Sequence, residues 1–166
     1  MHASEQERDD VKARREWWKS VQGHWDSGRL VFMDEAGAKT NMTRLRGRSP
    51  EGQRVHDDTP LCHWSSTTMI SSIRRDGSTA AMTVEGATTS EVFRAYVEHI
   101  LAPTLRPGDI VVLDNLSPHK DKEALARIEQ AGAEVRFLPP YSPDLNPIEK
   151  MWSKVKALLR SAKARS

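Results

Sequence analysis

The sequence contains a single cysteine, Cys62, among its 166 residues. An internal disulfide framework is therefore excluded, and such low cysteine use is typical of a reducing compartment. No uninterrupted apolar run exceeds four residues, as at 30–33 and 110–113, so we expect no membrane span. The first ten residues, MHASEQERDD, lack the apolar stretch of a secretion signal, and we expect a cytoplasmic protein.

The chain also lacks a strong charge imbalance, because 25 Lys and Arg residues face 23 Asp and Glu residues. The basic residues are nevertheless clustered. Residues 150–166 contain six of them and no acid, and Arg44, Arg46 and Arg48 alternate, so that a strand would present them on one face. Such clusters indicate a polyanionic partner, since phosphate contacts dominate nucleic-acid affinity. A solvated helix face and a polar loop would give the same pattern, so charge alone leaves both interpretations open.

Hydrophobic periodicity predicts an α/β domain at residues 29–166, ending in a basic helix, after a helical N-terminal extension at residues 1–28. The order β-β-β-α-β-α-β-α that follows the extension is compatible with a mixed five-stranded sheet flanked by helices. Strands are predicted at 30–33, 64–73, 78–84, 109–113 and 133–138, with 40–45 as a candidate partner strand, and helices at 4–25, 88–101, 119–131 and from 147 onward.

Local patterns refine these elements. Val11 and Trp18 lie on one apolar stripe of the first helix, and we interpret Trp17 and Trp18 as packing residues in preference to base-stacking ones. Thr88 followed by Glu91 has the spacing of a capping box at a helix start.

Three acidic residues are placed where they could act together. Asp34 and Asp114 each follow a short apolar strand, and Glu149 lies in the first turn of the last helix. If the two strands are neighbours, the two aspartates lie side by side beyond their carboxyl ends. Adjacent carboxylates repel each other unless a cation lies between them, and oxygen ligands favour Mg²⁺ or Mn²⁺. Two such ions about 4 Å apart can catalyse phosphoryl transfer, so the pattern points to nucleic-acid strand cleavage.

Each acid also has a structural explanation. Asp34 and Asp114 would serve as caps of the turns that follow their strands. Asn146 and Glu149 match a capping box around Pro147, which would account for Glu149 without any chemistry. Glu35 should point to the sheet face opposite Asp34, because side chains alternate along a strand. The residues alone therefore leave a metal site and local caps as alternatives.

Three longer blocks resemble a known family. They are VFMDEAG at 31–37, VVLDNLSPHK at 111–120 and LPPYSPDLNPIEKMWSKVK at 138–156. Over residues 29–160 the chain resembles the catalytic domain of bacterial insertion-sequence transposases of the mariner superfamily. The 34 positions between Asp114 and Glu149 are the spacing expected of this branch.

The resemblance implies a ribonuclease H-like fold in which Asp34, Asp114 and Glu149 form an Asp-Asp-Glu triad that binds two Mg²⁺ ions, with Mn²⁺ as a substitute. It places Asn115 and His119 in supporting positions after the middle aspartate, although His119 could also be a helix-start residue without a role. The implied enzyme cuts double-stranded DNA at transposon ends and joins the freed 3′-hydroxyl to target DNA, at a TA dinucleotide.

The resemblance also implies partners. Relatives pair two transposon ends, so we expect a homodimer when active, associated with the nucleoid. Lys150 and Lys154 flank Glu149 one helical turn apart and are the stronger candidates for phosphate contacts, with Arg44, Arg46 and Arg48 as a second DNA-binding group.

The chain departs from the family before its catalytic domain. Full-length relatives carry a helix-turn-helix region there, whereas 33 residues precede Asp34 here and predict one helix. The chain could be a second reading frame joined to an upstream DNA-binding frame, or a decayed remnant. Two alternative functions follow: a non-catalytic fragment that binds DNA or a full-length transposase as a regulator, and a ribonuclease H-like nuclease.

Overall fold

The protein is described by a computed structural model that covers residues 4–58 and 63–163, so Cys62 and Arg165 lie outside the described residues. Within these ranges a five-stranded mixed sheet is flanked by four helices, which confirms the predicted α/β class. The strands are β1 (Leu30–Lys39), β2 (Ser66–Arg74), β3 (Thr79–Glu85), β4 (Ile110–Leu113) and β5 (Glu134–Phe137), and the helices are α1 (Asp9–Gln22), α2 (Ser90–Tyr96), α3 (Lys122–Gln130) and α4 (Ile148–Ala162). None of the described helices is both long and apolar enough to span a bilayer.

The sheet has the order β3-β2-β1-β4-β5. The first three strands in the chain pair antiparallel, whereas β4 is parallel to both β1 and β5. Leu30 lies opposite Ile110 and Phe32 opposite Val112. The continuous apolar sequence of β4 suits this central parallel position, because such strands are covered on both faces.

The two faces of the sheet bury different residues. Alternation along β1 directs Val31 and Met33 to the face covered by α2 and α3, where Phe93 is among the fully buried side chains. Phe32 lies on the other face, which is covered by α1 through Trp18 and by α4 through Trp152. Hydrophobic burial on both faces therefore fixes the sheet between two helical layers.

The first strand is longer than its apolar run predicts. We predicted separate strands at 30–33 and 40–45, but β1 is continuous over Leu30–Lys39 and residues 40–45 form no strand. The prediction was wrong because β2 is long enough to pair with β1 at nine successive positions, from Val31 to Lys39. Gly37 lies within this ladder, opposite Thr68, and not in a turn.

Helix starts differ from the predictions by a few residues. Thr89, and not Thr88, caps α2, since its side chain accepts a hydrogen bond of 3.3 Å from the Val92 N–H. The predicted helix at 119–131 begins instead at Lys122, after a 3₁₀ turn, with Asp121 as its cap. In α1, Val11 and Trp18 are buried as the stripe predicts. Trp17 is 58% exposed, so the interpretation as a packing residue holds for Trp18 and is wrong for Trp17. The separation of residues 1–28 as an extension stays a prediction.

Candidate active site

Three acidic side chains line one cleft near the carboxyl end of β4, an interior strand of the sheet. Asp114 directly follows β4, and continuing the parallel register from Leu30 opposite Ile110 sets Asp34 beside Asp114. Glu149 comes from the first turn of α4. All three carboxylates line the same cleft of ≈ 380 Å³. The structure therefore brings together the three acids that the sequence singles out.

Asp34 lies inside β1 and not at its end, contrary to the prediction, and only 8% of it is exposed. Burial, together with the negative charges of Glu149 and Asp114, raises the pKa of Asp34 to about 7, and a backbone hydrogen bond and His119 only partly oppose this rise. The surroundings of Asp34 thus destabilise its ionised form relative to its neutral form. A cation bound between the carboxylates would remove this penalty.

One oxygen of Asp114 is held in place by two neighbours. His119 Nδ1 lies 2.5 Å from Asp114 Oδ1, and the Leu116 N–H donates to the same oxygen at 3.0 Å. Burial alone would raise the pKa of Asp114, but these hydrogen bonds and the charge of His119 lower it below its usual value. No hydrogen bond from the described residues reaches Oδ2, so this oxygen is available to a cation. Asp114 is therefore both a turn cap and a candidate ligand.

His119 joins Asp114 to a fourth acid. Its ring is completely buried, tilts against Phe93 with centroids 4.8 Å apart, and places Nε2 3.3 Å from Glu35 Oε1. Burial lowers the pKa of His119, but Asp114 and Glu35 outweigh it and raise the value to about 9. The alternative of a helix-start residue without a role therefore does not describe this histidine.

Glu35 is the residue that our sequence reasoning missed. It shares a sheet face with Val31 and Met33, as alternation predicts, and this is the face that packs against α2 and α3. A charged side chain at a core-facing position needs a polar partner. This requirement is the feature of the sequence that could have identified Glu35 as part of the site. The partner itself, His119, belongs to a 3₁₀ turn whose position no periodicity specifies.

The start of α4 does not form the predicted capping box. No side chain caps this helix, and the Glu149 N–H donates to the Asn146 carbonyl oxygen at 3.2 Å. Asn146 Oδ1 is buried without a hydrogen-bond partner among the described residues, although Asn146 lines the same cleft. Capping therefore does not account for Glu149.

The proline-rich loop between β5 and α4 forms one wall of the cleft. Asn115 Nδ2 donates to the Leu138 carbonyl oxygen and ties the end of β4 to this loop. Arg15 of α1 donates to Ser142 Oγ at 2.7 Å and to both carboxylate oxygens of Asp144, at 2.9 and 2.7 Å. The first helix thus anchors the wall of the cleft.

The donor set of the cleft fits a divalent metal. Among residues 4–58 and 63–163, no three His, Cys, Asp or Glu side chains converge tightly enough to enclose an ion as they stand. Mg²⁺ usually keeps several of its water ligands, however, and needs only one or two protein carboxylates. Three carboxylates around one cleft therefore provide enough oxygen ligands of the right type. The raised pKa of Asp34 and the unpartnered Asn146 Oδ1 both indicate a site that lacks positive charge. The residues present therefore fit Mg²⁺ or Mn²⁺.

Lys150 and Lys154 follow Glu149 on α4 but are not among the residues that line the cleft. Both are exposed on α4, one and five residues after Glu149. Neither forms an ion pair or hydrogen bond with another residue in the described part of the chain. Their ammonium groups are therefore free to contact an external anion.

The arginine group lies elsewhere. Arg44, Arg46 and Arg48 follow β1 in a loop, so the expectation of a shared strand face was wrong, and they line a separate pocket of ≈ 500 Å³. Arg44 donates to the Ser161 carbonyl oxygen at 3.2 Å, near the far end of α4. At 1.5 Å per helical residue, Ser161 is about 18 Å from Glu149 along the helix. The two basic groups therefore flank different ends of α4.

Comparison with known proteins identifies the family. The model of the family described as "DDE superfamily endonuclease" matches residues 29–166. No curated protein matches the chain in sequence.

Solved structures with a similar fold include those of Mos1 transposase. The chain matches the Mos1 transposase paired-end complex with the left transposon end at 15% identity and a TM-score of 0.66, covering 92% of this chain and 49% of that one. The Mos1 strand transfer complex matches at 16% identity and a TM-score of 0.71, covering 96% of this chain and 50% of that one. The Mos1 transposase catalytic domain with Raltegravir and Mg matches at 14% identity and a TM-score of 0.57, covering 100% of this chain and 86% of that one. The chain thus spans about half the length of the Mos1 chains in the two complexes.

At these identities the structural similarity establishes the fold, and the expected ribonuclease H-like sheet is confirmed. The family match covers most of the chain, including all three carboxylates of the cleft. The chain therefore belongs to the DDE superfamily endonucleases, with a catalytic fold similar to that of Mos1 transposase.

Proposed function

We propose that the chain is the catalytic domain of a mariner-superfamily transposase of the insertion-sequence type. It cleaves DNA strands at transposon ends and transfers the freed 3′-hydroxyl into target DNA. The observation that carries the proposal is the cleft in which Asp34, Asp114 and Glu149 meet from two neighbouring strands and a helix. Membership of an endonuclease family supports it.

Asp34, Asp114 and Glu149 would hold two Mg²⁺ ions, or Mn²⁺ in their place. Ions bound there would supply Lewis acidity that activates water and stabilises the leaving oxygen of a phosphodiester. His119 and the Leu116 N–H fix Oδ1 of Asp114, which leaves Oδ2 for a cation. The hydrogen bond from Asn115 to the Leu138 carbonyl oxygen would position the proline-rich loop relative to these carboxylates.

The DNA strand would be positioned by the exposed ammonium groups of Lys150 and Lys154, while Arg44, Arg46 and Arg48 would contact the backbone farther along α4. Hydrolysis breaks one phosphodiester bond at the transposon end and leaves a 3′-hydroxyl. That hydroxyl then attacks a target phosphodiester, at a TA dinucleotide, and displaces its 3′-oxygen. The protein contributes positioning and charge stabilisation and forms no covalent bond to DNA.

Assembly follows by analogy with similar structures. The Mos1 structures are paired-end and strand transfer complexes, which supports action of this chain as a dimer on two DNA ends. A helix-turn-helix region supplied by an upstream frame would read the terminal repeats. The reaction would take place in the cytoplasm, at the nucleoid.

Nicking of supercoiled plasmid tests the proposal. Wild-type protein with Mg²⁺ or Mn²⁺ is expected to convert supercoiled plasmid to the open circular form. Asp114→Asn should lower the rate by more than about 100-fold, because loss of a direct ligand exceeds the effect of losing its supports. Asp10→Asn, the same change at an exposed position of α1, is the matched control and should nick as wild type does.

The outcomes separate the alternatives. Nicking by Asp114→Asn at the wild-type rate would contradict the assignment of this residue. Absence of nicking together with absence of Mn²⁺ binding would favour the non-catalytic regulator. Preferential cleavage of RNA–DNA hybrids over duplex DNA would favour the ribonuclease H-like nuclease.

A further inference from the structure

Asn146 is a buried polar residue of the catalytic cleft to which the three carboxylates assign no role. Only 4% of it is exposed, and it lines the cleft together with Asp34, Asp114 and Glu149. Its side-chain oxygen, Oδ1, is buried and accepts no hydrogen bond from the described residues. A buried acceptor without a donor costs free energy, so such an atom inside a site requires an explanation.

The backbone of Asn146 makes the contacts that its side chain does not. Its N–H donates to the Pro143 carbonyl oxygen at 3.0 Å, and its own carbonyl oxygen accepts from the Glu149 N–H at 3.2 Å. An asparagine that precedes a helix commonly caps it by accepting such an N–H with its side-chain oxygen. Here the backbone carbonyl accepts it instead, and no side chain caps α4. The amide therefore lies beside the acids without a capping role.

Two of the hydrogen-bond donors in the cleft are already engaged. Asn115 Nδ2 donates to the Leu138 carbonyl oxygen. The Ser142 hydroxyl donates to the Pro140 carbonyl oxygen at 3.0 Å. Ionised carboxylates are acceptors only, and a phosphodiester likewise carries no donor. A DNA backbone that enters the cleft therefore cannot supply the missing donor to Asn146 Oδ1, whereas a water molecule can.

We infer that Asn146 Oδ1 accepts a hydrogen bond from a water molecule bound to the metal ion of the cleft, an inference that rests on the proposed function. Mg²⁺ usually keeps several water ligands, so donors are present wherever it binds. Hydrogen bonds from a charged donor are stronger than those between neutral groups. Asn146 is thus a positioning residue that acts on the ion through water, and such residues contribute to metal affinity.

Mn²⁺ binding to the full chain, followed by the EPR signal of free Mn²⁺, tests the inference without DNA. Asn146→Leu keeps the approximate size of the side chain but removes the acceptor, and it should weaken Mn²⁺ binding about tenfold. Asn146→Asp keeps an acceptor oxygen and should bind Mn²⁺ at least as tightly as the wild type. Asn41→Leu, the same change in the turn after β1, is the matched control and should bind Mn²⁺ as the wild type does.

Stability without metal separates positioning of a water ligand from support of the loop. In EDTA, Asn146→Leu should unfold at the wild-type temperature or up to about 4 °C above it, because it removes a buried acceptor that has no partner. A residue that supported the loop would lower the unfolding temperature when changed. The expected combination is therefore unchanged or higher stability with weaker metal binding, and thermal unfolding followed by circular dichroism measures the first part.

The number of water ligands on bound Mn²⁺ shows whether Asn146 acts through water. This number is counted from EPR line broadening in ¹⁷O-enriched water, at less than one Mn²⁺ per chain. It should be the same in the wild type and in Asn146→Leu. One additional water ligand in the variant would mean that Oδ1 binds the ion directly, which would overturn the inference.

Two further results would overturn the inference and leave the proposed function intact. One is equal Mn²⁺ affinity of the wild type and Asn146→Leu, and the other is a lower unfolding temperature of this variant in EDTA. Absence of Mn²⁺ binding by the wild type would contradict the proposed function, and the inference with it.

Discussion

Strand β4 has an aspartate at each end, and the two are treated differently by the fold. Asp109 precedes the strand and pairs with Arg74 at 2.6 Å, with both side chains buried, and it also accepts the Arg106 N–H at 2.7 Å. Burial alone would raise the pKa of Asp109, but Arg74 and the Arg106 N–H outweigh it and hold the pKa below its usual value. The chain itself supplies the cation at this end.

At the other end of β4, no arginine or lysine of the described residues forms an ion pair with the carboxylates of the cleft. Among the described residues Asp114 pairs only with His119, and Asp34 and Glu149 form no ion pair. Burial, together with the two neighbouring negative charges, raises the pKa of Asp34 to about 7. One end of the strand is thus a closed structural ion pair, and the other is a cluster of negative charge that an external cation would complete.

Breaking the structural pair should have the largest effect on stability. Asp109→Asn leaves Arg74 as a buried charge without its partner, and we expect a loss of about 3–5 kcal/mol in the free energy of unfolding. Urea denaturation at neutral pH measures this loss. Metal binding should be unchanged, because Asp109 lies at the opposite end of the strand from the cleft. A loss below about 1 kcal/mol would show that this ion pair stabilises the fold no more than a surface pair does.

The same pair predicts a pH dependence. Because the pKa of Asp109 is lower in the folded protein than its ordinary value of 3.8, its contribution to stability is complete above that value. The contribution is lost as the pH falls through the lowered pKa of the folded state. Wild type should therefore lose more stability than Asp109→Asn when the pH falls from about 5 to about 2. Parallel pH profiles of the two proteins would contradict this.

Removing a negative charge from the catalytic cleft should increase the stability of the protein, whereas the change at Asp109 should decrease it. In EDTA, Asp34→Asn is expected to raise the free energy of unfolding at pH 7 by roughly 2–4 kcal/mol, because raising a pKa by one is worth about 1.4 kcal/mol. Added Mg²⁺ should then stabilise the wild type and not the variant, since only the wild type retains all three ligands. Chemical denaturation with and without the metal measures both effects. A variant less stable than wild type in EDTA would contradict the idea of a repulsive cluster.

The sequence predicted the elements that depend on local pattern. The apolar run of β4, the buried stripe of α1 and the acids at Asp34 and Asp114 were all recognisable without a structure. The length of β1 was not, because pairing with β2 over nine positions determines it and that pairing is a tertiary property. The cap of α2 was missed by one residue for a related reason, since Thr88 and Thr89 are chemically equivalent candidates.

The network around the acids was harder to predict than the acids. His119 was placed near Asp114 by resemblance, but its bond to Glu35 depends on how a 3₁₀ turn seats the ring against Phe93. Sequence spacing specifies neither the turn nor the ring orientation. The same holds for Arg15, whose pairing with Asp144 joins residues 129 positions apart. Long-range polar contacts of this kind need coordinates.

Glu35 offers an intermediate test of the catalytic end. Glu35→Leu removes the acceptor of His119 Nε2, so the ring that holds Asp114 loses one of its two anchors. We expect Mn²⁺ affinity and plasmid nicking to fall by about 10–100-fold, the usual cost of losing a residue that supports a metal ligand. Glu35→Gln keeps an acceptor oxygen and should retain most of both. Equal loss in both variants would show that the charge of Glu35, and not its hydrogen bond, is what matters.

The smallest expected effect tests whether the two ends of β4 are independent. Asp34 lies about 16 Å from Asp109 along the sheet, five residues at about 3.3 Å each, and the two side chains share no partner. Changes at such separations add to within about 0.5 kcal/mol. The double variant Asp34→Asn/Asp109→Asn, compared with both single variants by urea denaturation in EDTA, should therefore show a coupling energy below that value. A larger coupling would mean that the charge at one end is felt at the other through the low-dielectric sheet. The contrast between a closed ion pair and an open acidic cleft would then describe one electrostatic unit and not two.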